Sequence, residues 1–540
     1  MDKVLFDLVD KRIPHFNRRI VEGLATEEMK HVEKYIDQVL RTACAELSPE
    51  LTFVRLAPCT PKEEYFENVR RTGKRNTIEH ARSDVYMVKL LFELNGEQLP
   101  PRYIVLPFVR RGGLITLRGS DFAISPVMTD KAFSIGPDYL FVKVDWDRLK
   151  FRRVPQYFYV NDNQEVVDVV YSKVHHYVLK ARRTDSKNDV RCNTVLPHYL
   201  FAKYGLTRVF SEFANTQVVV GGAQEITPEA YPAKDWLICR STMFKPRSVR
   251  DKYYVGPDIR LAIPKDSWSP TVASLVGGLY YVADHFPDRV TPDEIDEPRL
   301  WRILLGYMVF GPGISEGKLA EDINSHMGSL DNYVGPQTRK RLSDVGVYIE
   351  DVYQLFMHLI ESYDDYMSQS VTTLSSSYGK KLMTLEYVLS DLTYAIHRFM
   401  FAVGSHRKRK VLTKDDLFKI MNKTLKTNTV MRMNRQHGEV NAVSVSGDNL
   451  YFKVTSHVVL QEASSGATTK TRNSTEDPSK ILHISVAEVG SYNSMSKAEP
   501  TGRSKLNPFT LLSAHDNEIL QNPALKDVTV PTQALIQRDS

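Results

Sequence analysis

PRLWRILLGYMVF, residues 298–310, marks the point where the sequence changes character. Leu300, Ile303, Leu304, Tyr307 and Met308 recur at steps of three and four, which predicts a helix with one apolar face. The same period continues downstream. A second helix is predicted from about Leu342, with Val345, Ile349, Val352, Leu355, Phe356 and Leu359 on one side, and a third carries Leu385, Leu389, Leu392, Ile396, Phe399, Met400 and Val403. Upstream the pattern is different. Tyr86–Leu94, Tyr103–Val109, Leu114–Arg118, Leu140–Trp146 and Val154–Val160 are short runs rich in β-branched and aromatic residues. Asn95-Gly96, Pro100-Pro101, Gly112-Gly113 and Gly136-Pro137 separate them, so they read as strands and turns. An early helix is predicted with Thr26 as its N-cap, Glu27 and Glu28 at its positive end, and Met29, Val32, Ile36, Val39 and Leu40 at helical spacing. The last hundred residues read as strands and loops, with strands at Leu450–Val454, His457–Leu460 and Ile481–Val486. Strands and helices gathered in separate stretches predict an α+β multidomain fold.

A chain of 540 residues suggests about three or four domains. Hydrophobic residues at 42% and charged residues at 25% argue against bulk disorder. Cys44, Cys59, Cys192 and Cys239 form no C-x-x-C pair and have no His at ligand spacing, so free thiols in a reducing cytosol are expected. The first residues, MDKVLFDLVDKRIPHF, carry acidic groups inside their apolar stretch, unlike a signal peptide. The longest mostly apolar run, Thr271 to Ala283, is too short to cross a bilayer. Net charge is 71 − 65 = +6, but residues 404–440 hold ten Lys and Arg against three Asp and Glu, or +7. One segment therefore carries the whole basic excess, which predicts a polyanionic partner; the plainer alternative is a basic loop in solvent.

Motifs that carry chemistry are mostly missing. There is no phosphate loop, no dinucleotide glycine fingerprint and no nucleophile elbow. Asp145 and Asp147 flank Trp146 and would share one face of a strand, where they could hold a divalent cation, although such pairs are more often a solvent face. Tyr363-Asp364-Asp365-Tyr366 is similar to the carboxylate pair of palm-type polymerases, but it falls at the end of a helical pattern rather than in a strand hairpin.

Four landmarks carry a resemblance. The C-terminal region reads Asp477-Pro478-Ser479-Lys480-Ile481-Leu482-His483-Ile484-Ser485, then Glu499-Pro500-Thr501-Gly502, then Asn507-Pro508-Phe509-Thr510-Leu511-Leu512. This resembles the fork region of the β subunit of cellular RNA polymerases, R-x-L-H-x-[ST], C-P-x-E-T-P-E-G and G-L-x-x-x-L, with a longer spacer after His483, no Cys-Pro and one acidic residue fewer. Phe122–Val127 sits where that family has a glycine-rich strand pair. Leu304-Leu305-Gly306-Tyr307-Met308-Val309 resembles the F-L-G-Y-M-I helix of archaeal and eukaryotic second-largest subunits. Tyr333–Gly346, YVGPQTRKRLSDVG, resembles their D-H-[FY]-G-x-K-R-L-D-L-A-G. The order is kept, and the chain stops where a full β subunit continues. It is thus identified as similar to the N-terminal half of a split β (second-largest) subunit of multi-subunit DNA-dependent RNA polymerase, like those of giant tailed bacteriophages.

The resemblance implies a protrusion-like part over 1–140, a lobe-like insertion over 141–297, a helical return over 298–403 and a fork-like region over 404–540. It implies a nucleotidyltransferase subunit without a complete active site, which forms part of the DNA cleft and the surroundings of the RNA–DNA hybrid. Catalytic residues and bound cofactors are expected to be absent from this chain, with Mg2+ held by a partner subunit. Lys470, Arg472, Lys480, Arg503, Lys505, Arg432 and Arg435 become candidate phosphate contacts, and His483, Glu499, Pro500 and Gly502 candidate structural residues of the fork, with His483 a hydrogen-bond donor rather than an acid or base. The implied partners are the C-terminal β half and β′-type chains, the DNA template and the hybrid, with no membrane. The implied location is the cytoplasm of an infected bacterial host, or the virus particle itself. The competing expectation is a non-enzymatic viral structural or assembly protein, which would co-purify with copies of itself rather than with unlike chains.

Overall fold

The computed structural model describes residues 17–47, 50–72, 85–110, 112–117, 120–124, 126–136, 138–144, 148–161, 163–172, 194–241, 259–311, 314–331, 333–370, 373–374, 376–384, 389–407, 410–427, 440–442, 458–461, 483, 485–490, 503–507, 509–514 and 516–523. The fold is α+β with several sheets. Two compact units are present: Lys131–Leu374, and a second unit made of Met1–Asp130 together with Ser375–Ser540. The first is therefore inserted into the second.

The inserted unit is wider than the 141–297 expected for a lobe-like insertion, and the helices from Pro298 to Met367 belong to it. The reason is a shared core. An eight-stranded sheet is built on the long hairpin Arg148–Val160 and Asn163–Ser172, which turns at Asn161 with φ 45°. Its residues Leu140, Val142, Leu149, Phe151 and Phe158 lie in one apolar cluster with Trp301, Leu304, Leu305, Leu355, Phe356 and Leu359 of the helices. Leu196–Tyr204 runs through the middle, almost wholly buried between Pro270–His285, Pro298–Phe310 and Val352–Met367. Fully burying each such large apolar side chain contributes about 1.5–3 kcal/mol.

Two glycines let these helices cross closely. A Cβ on Gly278 would lie 2.6 Å from Pro197, and one on Gly306 would lie 2.8 Å from Leu319. Gly306 is the glycine of the LLGYMV stretch, and its place in an apolar helix is explained by this contact with Glu316–Leu330. The close approach at Gly278 also sets a hydrogen bond: His198 Nε2 lies 2.7 Å from the Gly278 carbonyl and donates to it. The imidazole stacks against Trp301 and is fully buried, and that burial pushes its pKa down to about 3.

The helix expected from Leu342 begins ten residues later. Pro336–Ser343 is a separate short helix, the chain turns at Gly346 with φ 81°, and Asp351 caps Val352–Met367 by accepting from Gln354 N at 2.8 Å. The early helix also differs from expectation. Gly23, not Thr26, precedes Leu24–Met29, and Val32–Leu47 is a separate helix. Thr26 instead holds the Arg110–Gly113 turn, donating to Arg110 O at 2.8 Å and accepting from Gly113 N at 2.9 Å. Gly23, at φ 88°, allows this approach: a Cβ there would lie 2.3 Å from Gly113 N.

The outer unit holds a sheet of Leu51–Pro58, Val85–Leu94, Glu97–Gln98 and Arg102–Pro107. The two-residue period sorts its faces. Val88, Leu90, Phe92, Leu94, Ile104 and Leu106 join one cluster with the helices Val32–Leu47 and Ser390–Arg407. Val85, Met87, Tyr103 and Val105 face the other way, with Cys59. Cys44, Cys59 and Cys239 are buried free thiols.

Unfolding exposes His198 and lets it take a proton near its ordinary pKa. Its folded pKa is depressed, so its burial is neutral to stability above about pH 6.5 and destabilises progressively as pH falls toward about 3, by about 1.4 kcal/mol per pH unit. Urea unfolding at pH 7.5 and pH 5.0 should show a pH-dependent loss that is smaller by about 2 kcal/mol in His198→Gln. An equal loss in both proteins would refute the assignment.

Candidate nucleic-acid interface

A four-stranded sheet is built where segments from both parts of the outer unit meet. Val127–Thr129 pairs antiparallel with Lys381–Met383 and parallel with Val458–Gln461, which pairs antiparallel with Arg503–Lys505. Ile20, Leu24, Met128, Leu382, Val489, Leu506 and Ile519 form the apolar cluster beneath. A ring of buried or half-buried polar groups locks it. Glu28 accepts from Thr384 Oγ1 and Asn517 Nδ2, while Arg19 donates to Asn517 Oδ1 and, at 2.8 Å, to Ser513 O. Asn17 Nδ2 donates to Thr510 O at 2.8 Å. Asn507 donates from Nδ2 to Glu488 O at 3.1 Å and accepts from Phe509 N at 3.0 Å.

His483 lies in this layer and takes part in it through Nδ1. Ser485 donates to His483 Nδ1 from its backbone N at 3.1 Å and from its hydroxyl at 2.9 Å, and Ser377 N donates to the Ser485 hydroxyl at 2.8 Å. The imidazole Nδ1 is thus an acceptor that starts the short helix Ser485–Val489. This helix replaces the end of the strand expected over Ile481–Val486. Ile481, Leu482 and the strand expected at Leu450–Val454 lie outside the described residues.

Of the candidate phosphate contacts, Arg503 and Lys505 lie two residues apart on a strand that pairs with Val458–Gln461 alone among the described strands. Lys470, Arg472, Lys480, Arg432 and Arg435, and with them Glu499, Pro500 and Gly502, lie outside the described residues, as do Asp145 and Asp147. The described part of the basic segment supplies cations that the motif comparison missed. Thr413 caps the helix Lys414–Thr424, accepting from Asp416 N at 3.2 Å, and Asp415 and Asp416 lie in its first turn, at the positive end. Lys414 pairs with Glu97. Lys419, Lys423 and Lys426 then stand exposed at steps of four and three, a spacing that was readable in the sequence. Like charges at that spacing repel each other mildly until an anion is present.

In the inserted unit, the Tyr363–Tyr366 box lies on Val352–Met367. Neighbouring helical residues point about 100° apart, so Asp364 and Asp365 do not converge as a metal-binding pair. Asp364 pairs with Arg153, and Tyr366 meets His358 Nε2 at 2.8 Å. Among the described residues no group of three or more His, Cys, Asp or Glu could hold a metal ion, and no helix is long and apolar enough to cross a membrane. Arg339, Lys340, Ser343, Tyr348, Glu350 and Gln354 line a shallow cleft of about 470 Å³, in which Tyr348 is 82% exposed.

Removing the Asn517 amide leaves Glu28 and Arg19 each short of a partner, so Asn517→Ala should cost about 2–3 kcal/mol, and His483→Ala about 1 kcal/mol. Urea denaturation of the two variants measures this; wild-type midpoints would show that the lock is not structural.

Sequence comparison completes the description. No curated protein matches the chain. The family described as Non-virion RNA polymerase subunit matches residues 2–531. That match covers nearly the whole chain and gives it a role in transcription, as part of a viral RNA polymerase that acts in the infected cell. With both of its units covered, the chain belongs to the family of non-virion RNA polymerase subunits.

Proposed function

We propose that this chain is the N-terminal half of a split β-type subunit of a DNA-directed RNA polymerase, of the kind found in giant tailed bacteriophages. The family match over residues 2–531 carries the reading, and the four β-like landmarks in order refine it. The interrupted path of the outer unit supports it too, since the β resemblance implies a lobe inserted into a protrusion. The inserted unit is then the lobe, and the layer around His483, Arg503 and Lys505 is the fork.

In this reading the chain performs no bond chemistry. Mg2+ belongs to aspartates of a β′-type partner and supports nucleotidyl transfer there. The residues of this chain shape the cleft around the template and the hybrid, and dock the C-terminal β half. Lys419, Lys423 and Lys426, with Arg503 and Lys505, neutralise phosphates without reading sequence.

Two measurements test this. The purified chain alone should synthesise no RNA and should support synthesis once assembled with its partner subunits; robust synthesis by the chain alone would overturn the reading. In the assembled polymerase, Lys419→Ala and Lys423→Ala should shorten elongation-complex lifetime on all templates alike. Each should lower the slope of log K against log salt by about one unit. Unchanged lifetimes and slopes in both variants would remove this helix from the nucleic-acid path.

A further inference from the structure

The helix Lys414–Thr424, KDDLFKIMNKT, is anchored along one side. Leu417, Met421 and the following Leu425 join the apolar cluster of the outer unit. Its far end is tied to the strand Arg102–Pro107. Arg102 donates from Nε to Leu425 O and from Nη1 to Asn422 Oδ1 at 2.6 Å, and Val105 N donates to Thr427 O at 2.8 Å. The side turned to water is thereby fixed, and it carries Phe418, 40% exposed, next to the lysine row. One turn before Phe418 stands Lys414 and one turn after it Asn422, and both are committed, Lys414 to Glu97 and Asn422 to Arg102. The row beside the ring is not: Lys419 and Lys423 are exposed and make no ion pair among the described residues. The carboxylates of the helix stand at its other end, in the first turn, where Asp416 accepts from Thr413 Oγ1 at 2.6 Å and lies 3.4 Å from His406 Nε2.

Neighbouring positions on a helix diverge by about 100°, so Phe418 and the row through Lys419 and Lys423 lie side by side, with the two lysines about 6 Å apart along the axis. A strand whose phosphates follow the lysines turns its bases to one flank, and the ring is on that flank. We propose that Phe418 stacks with an unpaired base while Lys419 and Lys423 neutralise the phosphates beside it, so that this helix takes single-stranded nucleic acid in preference to duplex. The proposal rests on the reading of these lysines as phosphate contacts and adds to it the state of the strand. In a duplex both faces of a base are covered by its neighbours, and the ring has nothing to stack on. An unpaired base offers a π face whatever its sequence. A protein partner fits worse, because the centres of protein interfaces are depleted in lysine, and here an uncommitted lysine row adjoins the aromatic side chain.

The test titrates fluorescein-labelled oligo(dT), oligo(U) and a DNA duplex of the same length with the whole purified chain and follows anisotropy. The single strands should bind more tightly than the duplex. Phe418→Ala should weaken single-strand binding by about tenfold and leave duplex binding and the salt slope unchanged, while Phe418→Tyr should keep wild-type affinity. Phe418→Leu, which keeps an apolar side chain against the helix, should bind as weakly as Phe418→Ala. Lys423→Ala should instead weaken strand and duplex alike and lower the slope of log K against log salt by roughly 0.7–0.9. A loss on oligo(dT) or on oligo(U) sustains the proposal and names the strand. Wild-type affinity for both in Phe418→Ala and Phe418→Leu, or an equal loss on the duplex, overturns the stacking site while leaving the phosphate contacts standing. Wild-type affinity and slope in Lys419→Ala and Lys423→Ala as well bring down the phosphate reading with it.

Discussion

Three antiparallel residue pairs, Thr129 with Lys381, Met128 with Leu382 and Val127 with Met383, join the two arms of the outer unit on either side of the insertion. Everything else in this sheet depends on this neck. The strand Val458–Gln461 adds to Val127–Thr129, Arg503–Lys505 adds to that strand, and the Arg19–Asn517–Glu28 lock closes over the result. A flexible loop as long as the insertion would pay only a slowly growing entropy of closure, about 0.6 kcal/mol per doubling of length. The insertion is not a flexible loop, however; it is a folded unit with its own core.

The same logic explains how the layer tolerates so many buried polar groups. Asn507, Thr510, Asn517 and Asn522 are each under 10% exposed, and each has a named partner in the chain. Satisfied groups of this kind add little net stability but specify one arrangement, because any other leaves a donor or acceptor dry. For a layer assembled from segments hundreds of residues apart, that specificity matters more than the energy of any single bond.

What could be read from the sequence followed the strength of local signals. The apolar faces of Pro298–Phe310 and Ser390–Arg407 were legible because their periods run unbroken against a core. The helix expected from Leu342 failed because its apolar spacing crosses Gly346, where a left-handed turn ends one helix before Asp351 starts the next. The β-branched run near His483 suggested a strand, but a cap made by His483 Nδ1 and Ser485 decided for a helix. Thr26 looked like a cap and proved to hold a turn eighty-odd residues away, a contact no local pattern carries. The basic excess was visible as composition, whereas its exposed lysine face needed the boundaries of one helix.

The lock between Arg19, Glu28 and Asn517 also has a schedule. On a ribosome adding about 5–20 residues per second, nearly 500 residues separate emergence of the first partners from the last, so Glu28 and Arg19 wait roughly half a minute or more for Asn517. The inserted unit is complete well before then. Translation thus delivers a finished inserted unit while the lock of the N-terminal arm still lacks one member, and that lock can close only after Asn517 has been made.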